Sequence, residues 1–171
     1  MEAFIRQLQE DDALALRELR TEALRDHPGS FGEALEEHLR TPPEVSAKRL
    51  REASLDNFVL GAFSDGVLRG MAGFHRDWGM KRRHRGHVWG MYVSPALRGC
   101  GTGRVLLGTL LERARGINGL DVVLLGVAAE NVAAFGLYRS VGFEEYGREP
   151  RALLVDGAPV TEVLMRYEIR R

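Results

Sequence analysis

The chain has 171 residues, about the length of one domain, and 44% of them are apolar, so one sizeable core can form without a disulfide staple. Twenty-four basic and 24 acidic side chains cancel, which excludes a globally basic nucleic-acid binder. The single cysteine, Cys100, excludes an intrachain disulfide and a cysteine-cluster zinc site. No apolar run approaches the ~18 residues of a membrane span. The opening residues 1–6 lack the charged and apolar regions of a secretory leader. The expectation is one cytoplasmic domain over 1–171, with no membrane, nucleic-acid or metal partner.

In chain order, residues 4–8 read as a short strand. Asp11 or Asp12 is placed to cap a helix in which Leu16, Leu19, Ala23 and Leu24 recur at helical spacing. His27-Pro28-Gly29-Ser30 breaks it, and a short helical stretch follows over 33–39. Thr41-Pro42-Pro43-Glu44 reads as a capping box opening a helix to about Ala53. The period then changes to that of strands, 58–63 and 67–78, joined by a turn at Asp65-Gly66. The basic run 81–85 reads as a solvated hairpin tip, and 87–93 completes an antiparallel meander. After a loop over 94–103, Leu107, Leu110, Leu111 and Ala114 mark a strong amphipathic helix ended by Asn118-Gly119. Residues 121–127 form a nearly continuous apolar strand, 131–140 a short helix, and 146–155 with 160–169 a final hairpin about Asp156-Gly157. The order β-α-α-β-β-β-α-β-α-β-β is that of an α/β fold with a mixed central sheet.

The most informative segment is Arg98-Gly99-Cys100-Gly101-Thr102-Gly103-Arg104. Three glycines between a strand and a helix let backbone N–H groups approach an anion at the helix N-terminus, and the arginines add positive charge at either end. No Gly-Lys-Ser/Thr triplet closes the loop, so it is not a Walker phosphate loop. It also follows an antiparallel meander rather than the first β-α turn, so it is not a Rossmann fingerprint.

Residues 98–103 resemble the R/Q-x-x-G-x-G/A motif of the GNAT superfamily of acyl-CoA-dependent N-acetyltransferases. Residues 89–95 look like that family's fourth strand and the turn leaving it, and residues 129–143 are similar to its N-x-x-A-x-x-x-Y-x-x-x-G-F segment. The resemblance implies a mixed central sheet, flanked by helices, whose fourth and fifth strands splay apart to hold acetyl-CoA, with Gly90 suited to a bulge that starts the splay. It implies that the backbone of Met91, Tyr92 and Val93 pairs with the pantetheine arm. Backbone amides across Arg98, Gly99, Cys100, Gly101, Thr102 and Gly103 would hold the pyrophosphate, with Arg104 beside them. It further implies that the Val93 N–H polarises the thioester carbonyl, that Asn131 bonds the pantetheine arm, and that Tyr138 protonates the leaving thiolate.

The general base stays open at this stage. Some relatives carry a glutamate on the fifth strand, five positions before the asparagine; here that position is Gly126. Others carry one on the fourth strand, at the position of His87. A histidine suits the task, so His87 is the candidate base, against a satisfied strand-end histidine or a water chain. His75 on the preceding strand is a further candidate lining the acceptor side, and Glu33 reads as an exposed helix-start carboxylate. On a regular strand His87, Trp89, Met91 and Val93 share one face. The expected activity is acetyl transfer to a primary amine of a small molecule. A protein N-terminus or lysine, and a non-catalytic CoA-binding sensor or interaction domain, are the alternatives. A homodimer is compatible with either.

Overall fold

The computed structural model describes residues 3–169. Met1 and Glu2, on which the reading of the chain start partly rests, lie outside the described residues. The elements are β1 (Phe4–Gln7), α1 (Ala13–Asp26), α2 (Leu35–Arg40), α3 (Pro43–Arg51), β2 (Asn57–Ser64), β3 (Val67–Arg76), β4 (Arg85–Val93), α4 (Thr102–Arg115), β5 (Val122–Ala128), α5 (Val132–Val141), β6 (Glu144–Val155) and β7 (Ala158–Glu168). Three helices precede β2, where the sequence-derived order counts two. The strands form a seven-stranded sheet in the order β1-β2-β3-β4-β5-β7-β6. Every neighbouring pair is antiparallel except β4 and β5, which run parallel. This is the expected mixed sheet.

Helices cover both faces. Leu106, Leu107, Leu110, Leu111 and Ala114 of α4 pack on Phe58, Phe74, Val88, Val123, Leu125 and Met165 in one core, which Tyr138 joins from α5. Leu16, Leu19 and Ala23 of α1 and Leu50 of α3 pack on Val59, Met71 and Tyr92 in a second core on the opposite face. The helical spacing of apolar residues read from the sequence in α1 and α4 is the spacing of these buried stripes.

Two helix starts differ from expectation. The Asp12 carboxylate does not cap α1. It accepts the Gln9 N–H at 2.7 Å and grips the Arg6 guanidinium through bonds of 2.6 and 2.8 Å. Thr41 does not cap α3, because Pro42 holds the cap position; the Thr41 hydroxyl instead donates back to the Glu37 carbonyl at 3.0 Å. Pro43 still opens α3 at a position whose N–H would have no helical partner.

The alternation expected along β4 fails after Trp89. Met71 pairs with Tyr92 and Gly73 with Trp89, so Ala72 alone faces both Gly90 and Met91. Gly90 takes φ +61°, a backbone state open to glycine at little cost. One extra residue reverses the period-two parity. His87 and Trp89 stay on the α1–α3 face, Met91 crosses to pack on the α4 core, and Tyr92 turns back to the α1–α3 core.

Candidate active site

β4 and β5 pair at only three positions, Arg85 with Val122, Gly86 with Val123 and His87 with Leu124. Beyond these the facing edges separate. β5 meanwhile stays paired with β7 along its whole length, from Val122–Glu168 to Ala128–Glu162. The bulge at Gly90 turns β4 away where the pairing stops, so the sheet opens into a V between two strands that are each held from their outer side. A cavity of about 720 Å³ occupies the opening. Its walls include Met91, Tyr92 and Val93 from β4, Ala128 beyond the splay, and Asn131 and Tyr138 from the start and interior of α5. That volume lies within the range of small-molecule and cofactor sites.

The floor of the cavity is the glycine loop. Gly99 and Gly101 take φ +75° and +80° with open space around them, so the backbone conformation requires glycine there. Gly103 is needed for a different reason: a Cβ on it would lie 3.1 Å from the Leu137 side chain, with Met91 and Val93 just behind. No side chain caps α4, whose cap position is Gly101, so the N–H groups of its first turn are left for an anion. Gly99, Gly101, Thr102 and Gly103 line the cavity. Cys100 and Arg104 are exposed and do not line it.

Arg98 does line the cavity, folded back along β4. Its Nε donates to the Val93 carbonyl at 2.9 Å, its Nη2 lies 2.9 Å from His27 Nε2, and its guanidinium sits over the Tyr92 ring. Arg104 Nη1 reaches the Ser140 carbonyl at 3.3 Å. The two arginines therefore bring charge to the loop while tying it to β4 and α5.

Tyr138 is buried against the α4 core, its ring edge-on to Phe143, and it also faces the cavity. Burial pushes the phenol well above its ordinary range, so it holds its proton at every working pH. Its hydroxyl has no hydrogen-bond partner among the described residues and is free to donate into the cleft. Asn131 makes two bonds: Oδ1 accepts the Ala134 N–H at 3.1 Å, capping α5, and Nδ2 donates to Ser30 Oγ at 3.3 Å, which leaves one N–H of the amide for a ligand. Tyr92 donates to Glu22 Oε1 at 2.8 Å, and burial, then this carboxylate, push its phenol up to about 12.

On the α1–α3 face the sheet carries a second group of polar side chains. His87 Nε2 lies 2.9 Å from Asp77 Oδ1, and the His75 ring stacks on His87 with centroids 4.9 Å apart and planes 10° from parallel. Burial, then the neighbouring His87, hold His75 below the ordinary imidazole range. The three residues are close enough to surround one cation. Asp77 also meets Arg85 Nε at 3.2 Å, so its carboxylate is shared between an imidazole and a guanidinium. The cluster is a stacked imidazole pair beside a carboxylate that also meets a guanidinium. His87, at the last paired position below the splay, is not among the residues lining the cavity.

Above Trp89, two guanidinium groups converge: Arg49 lies 4.9 Å and Arg20 5.9 Å from its ring. Arg20 also lies over Phe31, a cavity residue. Glu33, expected to be an exposed carboxylate, instead accepts from Arg20 Nε at 2.7 Å and faces His38 Nδ1 at 3.6 Å. Arg20 Nη1 is buried without a hydrogen-bond partner.

The sequence reading missed Arg20, Asp77 and Glu162. None belongs to a local motif. Their signal lies in the pairing of distant elements, apart from one hint: a glycine at 126 in an otherwise apolar strand asks what occupies the space above it.

The sequence profile of the Acetyltransferase (GNAT) family matches residues 14–143. The N-alpha-acetyltransferase RimI of Mycobacterium tuberculosis is 43% identical over 117 residues, covering 68% of this chain and 70% of that protein. The L-methionine sulfoximine/L-methionine sulfone acetyltransferase of Pseudomonas aeruginosa is 41% identical over 76 residues, 44% of each chain. Among solved structures, YncA of Salmonella typhimurium, with its cofactor acetyl-CoA, superposes with a TM-score of 0.85 at 25% identity, covering 100% of this chain and 96% of that one. The ribosomal-protein-alanine N-acetyltransferase of Brucella melitensis gives a TM-score of 0.83 at 29% identity, covering 96% and 99%.

Proposed function

The chain belongs to the GNAT acetyltransferase family and is an acetyl-CoA-dependent N-acetyltransferase, and we propose that its acceptor is a small molecule with a primary amine beside a carboxylate, of the amino-acid kind. The observation that carries this reading is Arg20. Its Nη1 is buried and unpartnered next to Trp89, Phe31 and Arg49. A buried guanidinium N–H left without an acceptor is costly, and a carboxylate from the acceptor satisfies it. The resemblance to an amino-acid-analogue acetyltransferase agrees with it. A peptide N-terminus is the second reading, favoured by the 43% identity to RimI; a peptide's own carboxylate lies far from its reacting amine.

The residue roles are those the family resemblance implies, and the geometry supports them. The separated edges of β4 and β5 offer Met91, Tyr92 and Val93 backbone groups to the pantetheine arm as an added strand would use them. The first-turn N–H groups of α4 and the loop from Gly99 to Gly103 receive the diphosphate. When bound, acetyl-CoA supplies an acyl group activated as a thioester. The Val93 N–H polarises its carbonyl oxygen, an oxyanion-type contribution. Tyr138, kept protonated by burial, gives its proton to the sulfur as the C–S bond breaks. Direct attack by the amine leaves no role for a covalent Cys100 adduct; that thiol is exposed outside the cavity.

Steady-state kinetics over free amino acids, their carboxyl-amidated forms and short peptides test the acceptor. The free acids are expected to have the highest kcat/KM, with amidation costing about tenfold or more, in line with one charge-assisted hydrogen bond of ~1.5–3 kcal/mol. Equal turnover of acid and amide, or preference for peptides, overturns the small-molecule reading.

A further inference from the structure

The α4 core claims Val123, Leu125 and Val127 of β5 and Val163 and Met165 of β7. By alternation, Leu124, Gly126 and Ala128 of β5 and Glu162, Leu164 and Arg166 of β7 face the other way, toward the acceptor side. On that face Glu162 lies across from Ala128 and leans over Gly126. A Cβ built on Gly126 would sit 2.9 Å from its carboxylate oxygen. The missing side chain at 126 is what gives the Glu162 carboxylate room to lie across β5. Glu162, like His87, is not itself among the residues lining the cavity, but Ala128, opposite it, and Val160, two residues before it, both are.

We propose that Glu162, lying over Gly126 on the acceptor face of the splay, is the group that takes the proton from the acceptor's ammonium nitrogen. This rests on the reading that an amine arrives on that face.

Three observations support the assignment. The Glu162 side chain is half-buried, yet its carboxylate accepts no hydrogen bond and meets no cation among the described residues. The side chains around it on this face are uncharged on β5 and at Val160 and Leu164. Glu149 stands opposite on β6, and Arg166, the next charged group along β7, is paired with Glu168 at 3.5 Å. Burial, then the Glu149 charge, hold its carboxyl above the usual carboxylate range, toward the strength a general base needs near neutrality. His87, by contrast, is already engaged with Asp77 and His75.

The step balances. The R–NH3⁺ nitrogen gives one proton to Glu162, and its freed lone pair forms the C–N bond to the acyl carbon as the C–S bond breaks. The sulfur takes the Tyr138 proton. The second amine proton leaves as the amide forms and restores the phenol through solvent. Glu162 releases its proton to solvent, so one proton is produced per turnover.

The test is the pH dependence of kcat/KM for whichever acceptor in the amine panel is turned over, for the intact chain, for Glu162→Gln and for Glu149→Gln. Glu162→Gln is expected to lose ~10²–10³-fold at neutral pH. Its deficit should shrink steadily as pH approaches the amine's own pKa, because the solvent then does the deprotonation. Glu149→Gln is expected to move the acidic limb to lower pH, since removing the like charge lowers the Glu162 pKa, and it remains informative if Glu162→Gln folds poorly. A Glu162→Gln deficit constant with pH, an unshifted limb in Glu149→Gln, or a limb that vanishes only in His87→Gln overturns the assignment. If only peptides are turned over, the small-molecule reading fails while this test still decides the role of Glu162.

Discussion

The two sides of the splayed sheet are built from different material. On the α4–α5 side the cleft we assign to the cofactor is largely main chain: the separated edges of β4 and β5, the uncapped start of α4, and a loop whose glycines either reach left-handed φ or let helices close in. On the α1–α3 side the surface we assign to the acceptor is side chain, drawn from elements far apart in sequence: Arg20 from α1, Arg49 from α3, Trp89 from β4 and Glu162 from β7. A backbone site recognises an invariant ligand and tolerates change in exposed side chains. A side-chain site is remade by single substitutions, which suits the half of the reaction that varies between relatives.

That contrast can be attacked from both sides. The largest expected effect falls where the two halves meet. Tyr138→Phe keeps the ring that fills the α4 core and deletes only the hydroxyl. We expect kcat to fall ~10²–10³-fold with acetyl-CoA affinity unchanged, read by steady-state kinetics beside equilibrium binding. Equal kcat would remove the phenol from proton transfer.

On the backbone side, Gly101→Val forces a β-branched residue to φ +80° at the helix start. Strain of ~1–3 kcal/mol should weaken acetyl-CoA binding by roughly 5- to 150-fold or unfold the loop, and calorimetric titration would measure it. By comparison Cys100→Ser, on the outside of the same loop, should leave that affinity within about twofold. If Cys100→Ser were the more damaging change, the site would not be a backbone cradle.

On the side-chain side, Arg20→Met should raise KM for a carboxylate-bearing acceptor by about tenfold or more and leave KM for acetyl-CoA alone. A rise in both constants would mean that Arg20 supports the whole cavity.

The smallest effect concerns stability remote from both. The Arg6 guanidinium, through its hydrogen bonds, holds the Asp12 carboxyl below the usual carboxylate range. A depressed carboxylate contributes stability above its unfolded pKa near ~4 and loses it as pH falls through the folded value. Asp12→Asn should therefore cost about 1 kcal/mol or less at pH 7, with the difference from the parent closing in acid, as urea melts at pH 7 and pH 3 would record.

Legibility in the sequence followed the same division. Residues 98–104 and 129–143 carry the cofactor cleft as contiguous strings, because a loop feeding a helix needs its glycines at fixed spacing, and Asn131 caps the helix that presents Tyr138. The amphipathic stripes of α1 and α4 gave their buried faces. What stayed hidden depends on register. The Gly90 bulge moved Met91 and Val93 off the face shared by His87 and Trp89, and period-two counting has no means to see an inserted residue. Thr41 read as a cap because the chemistry suits one, but Pro42 took the position. Glu162 carries meaning only once β7 is laid beside β5 so that its carboxylate covers Gly126.

The central claim is that the gap between β4 and β5 is the cofactor's seat. Backbone hydrogen exchange with and without acetyl-CoA measures it directly. Amides at Met91, Val93 and residues 99–104 should slow on binding, while Gly86 and His87, below the splay, should exchange as before. Unchanged exchange at 91–93 and 99–104 under saturating acetyl-CoA would contradict the account.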